Sequence, residues 1–168
     1  MASYNWDAVP EAEVKSFELM PEADYLLQVV DVDTTKETRN GDEMWRLTLK
    51  VMNEGKFYNR NVWDNWVFSA GGIKRIKLIR KNIGLNIVGT FQPTSEEILG
   101  RVILATVIQE EYNGKVQNKI PFDGYKMIDD LGMEQYAKGL EDEFHKAKSD
   151  MSYDADVDTE MDDVEAPF

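Results

Sequence analysis

Between Ser69 and Leu85 the apolar residues change their spacing. The stretch SAGGIKRIKLIRKNIGL sets Ile73, Ile76, Ile79 or Arg80, and Ile83 three and four residues apart, the period of one helix face. Gly71 and Gly72 precede it, and Gly84 stands where a helix commonly ends on a left-handed glycine. On both sides of this stretch the spacing is that of strands, so a single helix interrupts an otherwise β-rich chain.

The strands before it are three. DYLLQVVDVDTTKET is rich in apolar and β-branched residues from Asp24 onward, and Asn40-Gly41 supplies a turn into MWRLTLKVM. In that second strand Trp45, Leu47, Leu49 and Val51 share one face, while Met44, Arg46, Thr48 and Lys50 share the other. The first set reads as core and the second as a basic, solvated surface. FYNRNVWDNWVF is a third strand whose alternation is broken, and a bulge would explain the break. After the helix, TSEE suggests a capping box from Thr94 or Ser95 to Glu97. RVILATVIQEEYNGKVQNKIPFDGY is then a hairpin, because Asn113-Gly114 is the pair that a type I′ turn requires.

Three strands, one helix and a two-stranded hairpin predict a mainly β fold, a five-stranded OB-fold barrel with its helix between strands 3 and 4. Residues 24–126 form this domain, 1–23 are an N-terminal extension and 127–148 are a linker or short helix. From Ser149 to the end there are eight Asp and Glu, no Lys or Arg and few bulky apolar residues, the composition of a disordered acidic tail. The N-terminal residues lack a basic and apolar leader, and no run of 18 apolar residues occurs, so the expected location is the cytoplasm, with no membrane contact.

A net charge of −13 argues at first against a polyanionic partner. The charge is unevenly placed, however. Residues 1–33 carry eight Asp and Glu against one Lys, and 127–168 carry fourteen against three, whereas 34–126 hold fifteen Lys and Arg against ten acids. The body is basic and its flanks are acidic.

That body interleaves cations and aromatic rings on its predicted strands and their flanks. Arg46, Lys50, Arg60, Lys115 and Lys119 could hold phosphates, and Tyr58, Trp63, Trp66, Tyr112 and Phe122 could stack unpaired bases, the pairing that single-stranded nucleic acid needs. Trp45 lies on the apolar face of its strand and is assigned to the core. The helix cations Lys74, Arg75, Lys77, Arg80 and Lys81 read as an ordinary solvated face beside the isoleucine stripe.

Catalytic groupings are not evident. His145, the one histidine, falls in the acidic C-terminal region with no cysteine in the chain to partner it, and neither a Walker loop nor a G-x-S-x-G elbow occurs. Asp154, Asp156, Asp158, Glu160, Asp162 and Glu165 match the ligand positions of a twelve-residue calcium loop, but Thr159 stands where the sharp turn needs glycine. The expectation is a protein without enzymatic activity, metal or cofactor.

Four segments together resemble the small OB-fold single-stranded DNA-binding proteins of bacteriophages: LMPEADYLLQVVDVD, TRNGDEMWRLTLKVM, GKFYNRNVWDNW and EEYNGKVQNKIPFDGY. The ending MDDVEAPF is similar to the acidic Pro-Phe tip of bacterial and phage single-stranded DNA-binding proteins. The resemblance implies sequence-independent coating of single-stranded DNA in replication or recombination. It also implies recruitment of replication or recombination enzymes through Asp162, Asp163, Glu165, Pro167 and Phe168. Ala166 departs from the aliphatic residue usual before Pro-Phe, which leaves the partner open, as the sequence leaves homo-oligomerisation open. The alternative is a protein-interaction adaptor whose barrel does not bind DNA.

Overall fold

A computed structural model describes residues 2–8 and 18–165, with side chains described through residue 150. Among these residues, six strands form one antiparallel sheet: β1 (Ala23–Glu37), β2 (Glu43–Val51), β3 (Asn61–Val67), β4 (Val102–Tyr112), β5 (Lys115–Lys119) and β6 (Tyr125–Lys126). Helix α1 (Ala70–Asn82) joins β3 to β4, and helix α2 (Leu131–Glu165) follows β6. Short 3-10 turns lie at Trp6–Ala8 and Ser95–Glu97. The strands run in the order β3-β2-β1-β4-β5, with β6 paired to β4. The sheet is open, because no backbone ladder joins β3 to β5 among the described residues.

The sixth strand has a local origin. β5 pairs with β4 from Tyr112 to Ile108, and β6 rejoins the same strand at Ala105 and Leu104. Pro121 lies in the gap, and without an N–H it cannot continue the ladder. The chain loops out there and returns at Gly124, whose carbonyl accepts the Thr106 amide at 2.8 Å. The expected fifth strand is therefore split in two, and the expected closed barrel of five strands is replaced by an open sheet of six.

Two apolar layers use opposite faces of β1 and β4. Leu27, Val29, Ile103, Ala105 and Val107 join Leu47, Leu49, Trp66 and the helix residues Ile76 and Ile79 in the main core. Leu26 and Val102 face the other way, against Met52 and Ala137, with Leu104, Met133 and Leu140 packed at their margin. Burial on both faces explains why LLQVV and RVILATV read as nearly unbroken apolar runs. Gln28, buried among them, donates to the Gly100 carbonyl at 3.0 Å and to the Leu140 carbonyl at 3.3 Å, fastening α2 to the sheet. Glu141 accepts the Val102 amide at 2.8 Å.

Segment 127–148, expected as a linker or short helix, thus supplies the packed beginning of α2. The helix starts with the Asp130 carboxylate accepting the Met133 amide at 3.1 Å. Its backbone continues to Glu165, where the acidic composition predicts a disordered tail. Residues 140–166 contain neither Gly nor Pro, so no strong helix breaker interrupts the turn-by-turn bonding. Asp162, Asp163 and Glu165 lie on this backbone with their side chains outside the described set, and Pro167 and Phe168 lie outside the described residues altogether. No helix among the described residues is long and apolar enough to cross a membrane.

Helix α1 follows the sequence closely. Ser69 caps it by accepting the Gly72 amide at 3.0 Å. At the other end Gly84 has φ +81°, its amide donates to Lys81, and the Leu85 amide donates to the Arg80 carbonyl at 2.8 Å. This is the double-bonded glycine ending of a Schellman motif. The capping box expected at Thr94 to Glu97 does not form, since neither hydroxyl caps the 3-10 turn and Glu97 instead meets Arg80 at 2.7 Å. Only two residues, Phe68 and Ser69, separate β3 from α1, and the chain folds back so tightly that a Cβ at Gly72 would overlap the Val67 carbonyl. Gly72→Ala is expected to cost about 1–3 kcal/mol through overpacking against backbone, read as a lowered urea midpoint.

Candidate nucleic-acid interface

The site is built on β2 and β3, whose pairing runs without interruption from Met44↔Val67 to Lys50↔Asn61. The bulge expected in β3 is absent. The register shifts instead in β1, between Val29 and Asp31 and between Asp33 and Lys36. The broken alternation of β3 has another cause: Val62, Asp64 and Trp66 point inward and Asn61, Trp63 and Asn65 outward, so a carboxylate occupies a core-facing position.

Asp64 is accommodated by a chain of hydrogen bonds. The Tyr125 hydroxyl donates to its Oδ2 at 2.6 Å, the Trp66 indole N–H donates to the Tyr125 oxygen at 3.3 Å, and Arg75 meets the same carboxylate oxygen at 3.0 Å. Trp66 is 1% exposed, so its ring belongs to the core and not, as the sequence suggested, to a stacking surface.

Above this network is a concave groove of about 480 Å³. Its walls come from β2 and β3, with Asp64 reaching its base, from Arg75 of α1, from β5 and from the loop that ejects the chain before β6. Arg46, Trp63, Lys119 and Phe122, four of the residues expected to bind DNA, line it together. Trp63 is 50% exposed and Phe122 56% exposed, so each ring has a free face. Phe122 owes its position to the Pro121 interruption, since a continuous strand would have kept it in the ladder.

Arg46 forms no ion pair among the described residues and lies opposite Asn65 on β3 and Asp33 on β1. Asp33 is held below the usual carboxylate range mainly by the Thr35 hydroxyl and amide, which donate to it at 2.6 and 2.9 Å. A charged carboxylate therefore lies on β1 at the position opposite Arg46. Lys119 meets Glu110 at 3.0 Å, with both side chains about half exposed. Such a pair is weak in water and leaves the ammonium able to exchange partners.

The other expected residues do not line the groove. Lys50 and Arg60 lie half-buried near the β2–β3 connection, with Tyr58 exposed in it. Tyr112 and Lys115 face each other across the β4–β5 turn, where Asn113 and Gly114 both have positive φ as a type I′ turn requires. Sequence reasoning missed Asp64, Asn65, Gln117 and Asn118 as lining residues and placed Arg75 and Arg80 on a solvated face, whereas Arg75 turns into the groove and Arg80 is buried, paired with Glu97 and donating to the Asn86 carbonyl at 2.9 Å. The hairpin pattern gave Gln117 and Asn118 no charge or ring to mark them. Asn118 is spoken for, as it accepts from the Met20 amide at 2.9 Å and donates to its carbonyl at 3.0 Å.

Burial, followed by the neighbouring Asp64 carboxylate, holds the Tyr125 phenol well above its usual range. An unfolded chain releases this proton near pH 10, while the folded one keeps it. Stability is therefore complete below about pH 10 and falls above it, at about 1.4 kcal/mol per pH unit for this group. Urea unfolding at rising alkaline pH is expected to show a shallower decline for Tyr125→Phe; equal slopes would remove Tyr125 as the source.

Among curated proteins the chain has no match. Residues 7–138 match a family that spans the whole sheet and the start of α2, described as "Protein of unknown function (DUF669)". The chain that carries this groove belongs to that family.

Proposed function

We propose that this chain is a non-catalytic, sequence-independent single-stranded DNA-binding protein with an OB-like domain. The observation that carries the reading is the groove, where two half-exposed rings, Trp63 and Phe122, lie beside the cations Arg46 and Lys119. Stacked bases need free aromatic faces and the backbone needs nearby positive charge, and a groove supplying both tolerates any base sequence. The OB-like description is supported by β1 standing between β2 and β4, by α1 joining β3 to β4, and by edge strands that face one another across a ligand-sized cleft.

The proposal extends to phage replication or recombination in a bacterial cytoplasm. There the segment holding Asp162, Asp163, Glu165, Pro167 and Phe168 would dock partner enzymes, its carboxylates meeting basic residues and Phe168 entering an apolar pocket. Phe168→Ala would then leave DNA binding intact and abolish recruitment.

Mobility shifts of full-length protein with single-stranded DNA, duplex DNA and single-stranded RNA at low salt test the central claim. Single strands should shift, with affinity falling as salt rises. Oligo-dT should quench tryptophan emission, and Trp63→Phe in a Trp6→Phe background should remove most of that quench, because Trp45 and Trp66 are buried while Trp6 is exposed outside the groove. Unshifted oligonucleotide with unchanged emission would overturn the reading.

A further inference from the structure

Two cations of α1 are turned inward: Arg80, buried against Glu97 and the Asn86 carbonyl away from the groove, and Arg75. Lys74, Lys77 and Lys81 are exposed, whereas Arg75 has a side chain only 13% exposed and turned into the base of the groove. Its Nε donates to the Phe122 carbonyl at 3.3 Å and its Nη1 to the Asn65 carbonyl at 3.2 Å. Its Nη2 reaches the Asp64 carboxylate at 3.0 Å and the carbonyls of Pro121 and Ile120 at 3.3 and 3.5 Å. The guanidinium also lies 5.7 Å from the centre of the Tyr125 ring.

These partners lie on two segments that no backbone ladder connects. Asp64 and Asn65 belong to β3, and residues 120–122 form the loop after β5. Where a closed barrel would use strand pairing, the planar Arg75 side chain bonds to both segments, beside the Tyr125–Asp64 bond that ties β3 to β6. The same two edges carry Trp63 and Phe122.

We infer that Arg75 is a positioning residue that clamps β3 to the 120–122 loop and so sets the spacing of Trp63 and Phe122 for the stacking proposed above. It does not bind phosphate. Its charge is matched by Asp64 and its N–H groups are directed at fixed acceptors, so a phosphate could engage it only by breaking the clamp. Lysine cannot substitute, because an ammonium lacks the planar fork needed to reach carbonyls on both sides at once. The inference rests on the single-stranded DNA reading for its consequence, while the clamp itself can be measured without DNA.

The free protein provides the first readout. The Arg75 Nε–H signal in ¹⁵N NMR should exchange slowly with water and should keep its shift when oligo-dT is added. In Arg75→Lys, Trp63 should become more accessible to acrylamide. Binding provides the second. Arg75→Lys, with charge retained, should lose at least about tenfold in oligo-dT affinity, the scale of one impaired stacking contact, with the slope of log affinity against log salt unchanged.

Were Arg75 a phosphate contact, Arg75→Lys would keep its affinity, Arg75→Gln would reduce the salt slope by about 0.7, and the Nε–H signal would move on binding; that pattern overturns the inference. A fast-exchanging Nε–H, or Trp63 accessibility unchanged in Arg75→Lys, overturns it too. Wild-type protein that ignores oligo-dT yet shows both free-protein signatures would sink the function reading and leave the clamp standing. If Arg75→Lys fails to fold, the charge-neutral pair Arg75→Gln with Asp64→Asn replaces it in the accessibility and binding arms, with the same expected outcomes.

Discussion

Trp63→Ala is expected to raise the dissociation constant for oligo-dT roughly 5- to 150-fold, the effect of about 1–3 kcal/mol for one stacked base. Its thermal midpoint should stay close to the parent's, because the ring is half exposed on the outer face of β3 and leaves no core cavity. Trp66→Ala is the matching control. That ring is 1% exposed in the core, so truncation should cost about 3–5 kcal/mol of stability. Fluorescence titration and thermal melts of the two variants separate binding from folding at positions three residues apart. An unchanged dissociation constant for Trp63→Ala would take the tryptophan out of the interface.

Asp64→Ala should destabilise the fold by about 3–5 kcal/mol, the cost of leaving a largely buried charge without its partner. Arg75 and Asp64 have side chains 13% and 9% exposed, so water cannot readily replace the lost carboxylate. The Tyr125 hydroxyl would lose its acceptor at the same time. Combining Asp64→Ala with Arg75→Met removes both charges and should recover much of the loss, since an apolar pair avoids the desolvation cost. Chemical denaturation of the single and double variants measures the coupling, and a double variant no more stable than Asp64→Ala would show that charge pairing is not the source.

The elements easiest to read from sequence were those whose signal is local. Trp45, Leu47, Leu49 and Val51 alternate cleanly because only one face of β2 meets the main core. Gly84 and Asn113-Gly114 mark positive φ, which few residues adopt without strain. What stayed hidden depended on distant partners. Asp64 looks misplaced in β3 until Tyr125 and Arg75, 61 and 11 residues away, are seen to satisfy it. Arg75 cannot be told from Lys74 or Lys77 by helix periodicity, because what distinguishes it is a loop beyond β5. In the sequence Trp63, Phe122 and Trp66 look alike as stacking rings, because Asp64 obscures the strand phase that would set Trp66 apart. The long α2 was masked by composition: acidic residues suggest a solvated tail, while the lack of Gly and Pro over 140–166 carries the opposite signal.

An open sheet ordinarily presents two bare edges, each a template on which another chain can add a strand and begin to aggregate. Here both edges, β3 and β5, turn toward the same cleft, and the end of each is tied down, β3 by Arg75 and β5 by Asn118 bonded to Met20. The Pro121 interruption further shortens the second edge to five residues before the chain leaves the ladder. Incomplete closure therefore keeps a cleft open while leaving little free ladder at either edge on which a strand from another chain could be added.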